Sequence, residues 1–558
     1  MNLHTSPISG VDCFKDKYIA TAGYDNKVIL WDSKNKKAIA SGEHNHLANA
    51  CKFSECGNFL VSASSDYSAM VWKIPSMEKI ATLLGHTDDI EMAAINNSNT
   101  CIATASRDHS INLYDMDGNY LSKLSGHNAD VISISWLNDE SLISSSDDGT
   151  VRVWNISNGS HSIYNFESIE TDTIALVNEN LFFAGNDNGD IITINNNITY
   201  TRAHQSGIKR LYYNKDGNIL ISTSYDRKLK VWKLNEENIL ELYRESEFPS
   251  IIWPRSISMS NKNVIVFSTF GSSYATFKIE TNEWNTSNIV KTFGINSVIE
   301  SNNQLFHIGD AGEFYQDGQF IKSMHSLCNF IVKTEFFILT GGQLGEVYNA
   351  ISGDIIYKHH SPLNCATFIK GNEYNLIAVG AYTGEAILLK EKDNHISILE
   401  ILKIHSNAIK GICNNGNYLF SASANKEIAL SDYTQFKTIQ KISNAHDKII
   451  NACIHLKDNL FITIGRDLKY KIWDGINLLS SHLTQQKNSL KCIAKSSNNE
   501  TIAIGSYSGE IQIYNIINNE LIRKYNPTKY GISSLTFRDS SNTFIASSYD
   551  GNLYEIKQ

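Results

Sequence analysis

Ala22-Gly23-Tyr24-Asp25-Asn26-Lys27-Val28-Ile29-Leu30-Trp31-Asp32 is the stretch whose reading decides the fold. Small residues close one strand, Asp25 and Asn26 make a tight turn, and Val28 to Trp31 alternate as the next strand. The pattern returns at Ser65-Asp66 to Trp72, Arg107-Asp108 to Tyr114, Asp147-Asp148-Gly149 to Trp154, Asp187-Asn188-Gly189 to Ile194 and Tyr225-Asp226 to Trp232. Looser copies stand at Phe270-Gly271, Asp310-Ala311-Gly312, Gln343-Leu344-Gly345, Tyr382-Thr383-Gly384, Ala424-Asn425, Arg466-Asp467, Tyr507-Ser508-Gly509 and Tyr549-Asp550-Gly551. Runs such as Val151-Arg152-Val153-Trp154 keep a period of two, so each copy is built of strands.

The fourteen turn anchors run from position 25 to position 550. Their mean step of about 40 residues is that of four-stranded propeller blades, and one ring holds roughly four to eight of these. The reading is therefore all-β: two consecutive seven-bladed β-propellers of fourteen four-stranded blades, with domains at 1–280 and 281–558. The final strand pattern, Asn552 to Lys557, is the third of its blade. Residues near Thr286 to Thr292 are expected to add the missing outer strand, and Met1 to Leu3 to do the same for blade seven, which would remove exposed edges. The alternative places the N-terminal strand on blade fourteen and inserts the second ring within the first.

Composition narrows the function. Of 558 residues, 42% are hydrophobic and 19% charged, which excludes a largely disordered chain, and six prolines leave no Pro-rich tail. A net charge of −9 without a polybasic block argues against a nucleic-acid or anionic-membrane binder. With neither a leader-like N-terminus nor an apolar run long enough to span a bilayer, the expected location is cytoplasmic. Nine cysteines, mostly inside apolar strand patterns, read as reduced core residues. No CxxC and no His pair at metal-ligand spacing is seen, so neither metal nor cofactor is expected. P-loop, dinucleotide and nucleophile-elbow motifs are missing, since Tyr507 stands where the nucleophile would be in Gly505-Ser506-Tyr507-Ser508-Gly509.

Trp31-Asp32 and Trp473-Asp474, with Gly85-His86 and Gly126-His127 upstream of their turns, make the copies resemble WD40 repeats. The resemblance implies a buried His–Ser–Asp–Trp chain in each full blade: His44, Ser64, Asp66, Trp72; His127, Ser146, Asp148, Trp154; and His204, Ser224, Asp226, Trp232. Blades one, three and twelve look incomplete, because Gly23 and Gly465 replace the serine and Tyr114 replaces the Trp. It also implies that the residue before each turn anchor faces a partner-binding rim. Candidate partner-binding residues there are Tyr24, Arg107, Asp147, Asp187, Tyr225 and Phe270, with Tyr382, Arg466, Tyr507 and Tyr549 in the second ring. Trp253 and Arg255, in a loop-like Trp-Pro-Arg, join them as an exposed aromatic and its cation.

Charge is uneven as well. Residues 1–280 hold 24 basic and 33 acidic side chains, whereas 281–558 hold 25 of each. An acidic sector over 101–200 adjoins a basic stretch at 201–233, suited to orienting a partner. The expected function is a non-enzymatic protein–protein interaction scaffold whose partners are proteins. The layout is also similar to the actin-interacting protein family, which makes filament regulation an alternative. A propeller enzyme or small-ligand binder ranks below both.

Overall fold

A computed structural model describes residues 3–167, 169–261 and 263–558. The described residues form strands and turns, with no helix long and apolar enough to cross a membrane. The chain divides into two compact units, Met1–Thr292 and Phe293–Gln558.

The first unit holds seven four-stranded antiparallel sheets in chain order, from Ile8–Phe14, Tyr18–Gly23, Lys27–Asp32 and Lys37–Glu43 in blade one to Ile252–Asn261, Val264–Thr269, Ala275–Lys278 and Glu283–Asn285 in blade seven. First strands of successive blades adjoin one another, and Ile252–Asn261 returns beside Ile8–Phe14 to close the ring. Ser256 and Ser258 fasten that seam, their hydroxyls accepting from the Val11 and Cys13 amides. Ile8, Ile29 and Trp31 pack on Val266 and Tyr274 across it. Burying apolar faces between blades holds the ring, while fourth strands such as Lys37–Glu43 alternate toward solvent.

The second unit repeats the plan from Ile295–Ser301 to Leu553–Lys557, closing where the Ser533 hydroxyl donates to the Ile295 carbonyl. The two rings are consecutive. Six of its sheets have four strands and the last has three among the described residues.

The expected strand exchange is not seen among the described residues. Blade seven takes its outer strand from its own sequence, Glu283–Asn285, so the boundary falls after Thr292 rather than at 280. Residues 286–292 do not complete blade fourteen. Lys291 bridges Gly271, and the Ser272 amide donates to the Val290 carbonyl, tying this segment to blade seven. Met1 and Asn2 lie outside the described residues, and beyond them the His4 amide donates to the Ser272 carbonyl without forming a strand.

Of the nine cysteines, six are buried and only Cys56 is exposed. Burial pushes the Cys51 and Cys492 thiols up, the latter to about 12, so both stay protonated at neutral pH.

Candidate functional site

Each blade presents two side chains at the same end of its ring: the residue before the turn anchor, and a residue bulged out of the first strand. Every first strand has such a β-bulge, which frees one residue from the ladder and re-aims its side chain. In blades one, two, four, six and twelve a tetrad fixes the turn beside them.

Those tetrads form, but their hydroxyl sits two residues earlier than expected. His44 Nε2 is 2.7 Å from the Ser62 hydroxyl, which also accepts from Trp72 Nε1 at 2.8 Å, while His44 Nδ1 faces Asp66. Ser144 holds this place between His127 and Trp154, and Ser222 between His204 and Trp232. Ser64, Ser146 and Ser224 accept instead from the amides of Asp66, Asp148 and Asp226, capping the turn. Residues i and i+2 share a strand face, so alternation could not separate the two serines. The shift completes two blades that looked deficient: His4, Thr21, Asp25 and Trp31, and His446, Thr463, Asp467 and Trp473. In blade three His86 joins Asp108 and Thr104, while the Tyr114 hydroxyl donates to the Leu84 carbonyl. Burial raises the Asp66 carboxyl, but the bond and charge of His44, the Ser68 hydroxyl and the Asn45 amide together outweigh it and hold the group well below the usual carboxylate range.

Five blades of the second unit carry the carboxylate two positions on, as Glu313, Glu346, Glu385, Glu427 and Glu510, whereas blades twelve and fourteen keep Asp467 and Asp550 at the turn. Glu427 faces His405 Nδ1 at 3.0 Å, Glu313 accepts from the Tyr315 hydroxyl, and Glu510 accepts from Gln512 Nε2. The residue before such a glutamate is left-handed. At Gly384, φ +81°, a Cβ would lie 2.2 Å from the His405 carbonyl oxygen, so only glycine fits.

The bulged residue has a structural job in half of the blades. Ser9 donates to the Ala48 carbonyl, Asn49 to Ile90, Asn329 to Leu363, Asn364 to Ile409 and Asn451 to Leu490, each clasping the next blade. Asn296 and Ser533 do the same in blades eight and fourteen. Across blades three to seven of the first ring the bulges carry Glu91, Ile132, Asp172, Lys209 and the longer Trp253-to-Ser256 segment instead.

These residues gather the candidates predicted from sequence. Arg107 Nε lies 2.6 Å from Glu91, and its Nη1 reaches Asp130 in the next blade. Arg255 of blade seven reaches Glu91 of blade three at 3.0 Å, spanning the mouth of the ring. Lys209 joins Asp172 and Asp187 and lies 4.9 Å from the centroid of the Tyr225 ring. Three cations, Arg107, Lys209 and Arg255, thus share the arc with six carboxylates: Glu91, Asp130, Asp147, Glu170, Asp172 and Asp187. Burial, with Glu170, Asp130 and Asp172 nearby, pushes the Asp147 carboxyl well above its usual range, and Arg107 only partly opposes this. Burial works against the charge on Lys209, yet Asp172 and Asp187 more than offset it.

Two predicted anchors are misplaced. Phe270 is 2% exposed and Trp253 9%; their rings stack with centroids 5.3 Å apart, and Tyr24 packs edge-on against Trp253. Trp253 and Arg255 belong to the first strand of blade seven, not to a loop. Both aromatics are packing residues that hold Arg255 in place. Tyr24, Arg107, Asp147, Asp187, Tyr225 and Arg255 are half-buried and remain at the mouth. In the second unit Lys410 and Lys491 occupy bulges, lying near the rings of Tyr382 and Tyr507. Tyr507 stacks on Tyr549, and Arg466 sits half-buried on blade twelve. The bulge residues were missed; the sequence signal is a single polar residue interrupting an apolar first strand, as in Leu363-Asn364-Cys365.

Asp147→Asn should raise the thermal midpoint at pH 7. The folded pKa lies above the unfolded value of about 3.9, so stability falls as pH rises through that window, and the amide lacks this loss. Below pH of about 4 both states are protonated and the gap to wild type should close; thermal unfolding at the two pH values checks this. A gap unchanged by acid would place the effect elsewhere.

The family model described as "WD domain, G-beta repeat" matches residues 1–32, 38–73, 77–115, 118–155 and 196–233. A guanine nucleotide-binding protein subunit beta-like protein of Encephalitozoon cuniculi is 28% identical over 180 residues, 29% of this chain and 53% of that protein. A ribosome biogenesis protein WDR12 homolog of Aedes aegypti is 27% identical over 184 residues, 28% of this chain and 43% of that protein. The chain thus spans about half the length of the curated relatives it matches. A solved structure titled "Structure of U3-55K" aligns over 48% of this chain and 89% of its own, at 19% identity and a TM-score of 0.44. Residues 1–233 of this chain thus carry five WD40 repeats, built as blades of the first unit.

Proposed function

We propose that the chain is a non-enzymatic protein–protein interaction scaffold, and that a protein partner docks on the mouth of the first ring over blades three to seven. The observation that carries this reading is that in five successive blades the bulged residue no longer donates to a backbone carbonyl of the next blade. At those positions a stabilising side-chain bond is replaced mostly by charged and aromatic groups, among them carboxylates crowded against one another. Such an arrangement opposes stability in the free chain and favours a ligand that brings compensating charge. Six carboxylates against three cations suit a basic protein segment, and Tyr24 and Tyr225 supply amphipathic contact area beside them. A relative named as a subunit fits a chain that works bound to other proteins. Nothing in this geometry favours actin filaments, and that alternative is not carried forward.

Affinity capture with the full chain tests the reading. Asp147→Asn combined with Asp187→Asn removes two acidic groups without removing volume. Recovery of wild-type partners should fall at least tenfold while the thermal midpoint stays at or above that of wild type, and wild-type recovery should fall with added salt. Ribonuclease treatment should leave recovery unchanged. Partners recovered at wild-type yield by this variant, but lost on replacing Tyr382 and Tyr507, would move the site to the second unit.

A further inference from the structure

Blade ten departs from the tetrad in a way that gathers ligands. Val379 and Leu389 stand where the hydroxyl and the indole stand elsewhere, as the strand register shows: Val379 pairs with Ala366 as Ser62 pairs with Cys51. His359 therefore meets no hydroxyl there. Its Nε2, which in the tetrads faces the hydroxyl, lies instead 3.1 Å from Glu385 Oε2.

The next residue departs too. In the full tetrads it offers its backbone amide to the carboxylate, as Thr5, Asn45, Asn128, Gln205 and Asp447 do. Here His360 presents its imidazole, with Nε2 4.0 Å from Glu385 Oε2 and its ring centroid 4.1 Å from that of His359. One ligand atom from each of the three side chains lies within 4.8 Å of the others. Bonds of about 2.0–2.2 Å to a tetrahedral ion require ligand atoms roughly 3.4 Å apart, a spacing bracketed by the 3.1 and 4.0 Å found. The Thr383 hydroxyl donates to Glu385 Oε2 at 2.5 Å, the kind of outer bond that orients a ligating carboxylate. His359 is buried, Glu385 half-buried and His360 exposed at 42% of its side chain, so an ion has both a fixed base and a path from solvent.

We propose that His359, His360 and Glu385 form a binding site for a divalent transition-metal ion of the zinc class, with two imidazole nitrogens, one carboxylate oxygen and a remaining position open to water. Two histidines with a carboxylate favour zinc-like ions over calcium or magnesium, which take oxygen ligands. The adjacent histidines escape a spacing search because they lie in the connection between blades, where the chain turns both rings onto one carboxylate from a strand 25 residues on.

Zinc titrated into the full chain against a chromophoric chelator tests the site. One ion should bind per chain, and His360→Ala and Glu385→Gln should each weaken it at least tenfold. His325→Ala, an exposed histidine of blade nine, should leave it unchanged. Cobalt in place of zinc should give visible bands of a low-coordinate site that His360→Ala abolishes. Because His360 is exposed, that variant should keep the wild-type thermal midpoint, which separates lost ligation from lost folding. No binding at micromolar zinc, or equal affinity in wild type and His360→Ala, overturns the proposal.

Discussion

Replacing Trp154 by alanine is expected to destabilise the first unit by about 3–5 kcal/mol, the usual range for removing a buried Trp. The indole is 1% exposed, packs among Ile134, Leu142 and Trp136, and donates to the Ser144 hydroxyl at 2.8 Å. In a calorimetric scan of the full chain one transition should drop on the order of 5–10 °C while the other stays in place. Two serine variants locate the bond. Ser144→Ala leaves both His127 Nε2 and Trp154 Nε1 without their partner and should cost roughly 2–3 kcal/mol. Ser146→Ala removes a turn cap and a bond to the Ala129 carbonyl, worth about 1 kcal/mol. The reverse ranking would mean that the tetrad has been assigned to the wrong hydroxyl.

Phe270→Ala should be nearly as damaging, by about 3–5 kcal/mol, although Phe270 occupies a rim position where partner contact is expected. Its ring is almost fully buried and stacked on Trp253. Trp253 in turn carries Tyr24 and Arg255, so the cavity would loosen the cation that spans the mouth to Glu91. Lower thermal stability together with weaker partner capture is the expected outcome. Tyr225→Ala is the contrast: half-buried, with Lys209 over its ring, it should lose only about 1 kcal/mol and act mainly on binding. Equal midpoints for Phe270→Ala and wild type would show that the stack does not support the seam.

The repeat of Asp-turn and alternating strand, fourteen times at a step near 40, was enough to establish an all-β chain of two seven-bladed rings. Period-2 burial and turn chemistry are local properties, written in adjacent residues. The resemblance to WD40 repeats, rather than local pattern, implied that Tyr24, Arg107, Asp147, Asp187 and Tyr225 face one end of the first ring. Local pattern could not say whether Ser62 or Ser64 meets His44, since both face the same way, and the choice rests on how far a loop histidine reaches into the sheet. Nor could it tell that Phe270 is packing and Tyr225 surface, because burial at the rim depends on the neighbouring blade. The outer strand of blade seven, the clasps from bulged residues, the bridge from Arg255 to Glu91 and the meeting of His359, His360 and Glu385 were likewise decided by tertiary structure alone. Each joins residues from different strands or blades, at distances that the packing of those strands and blades sets.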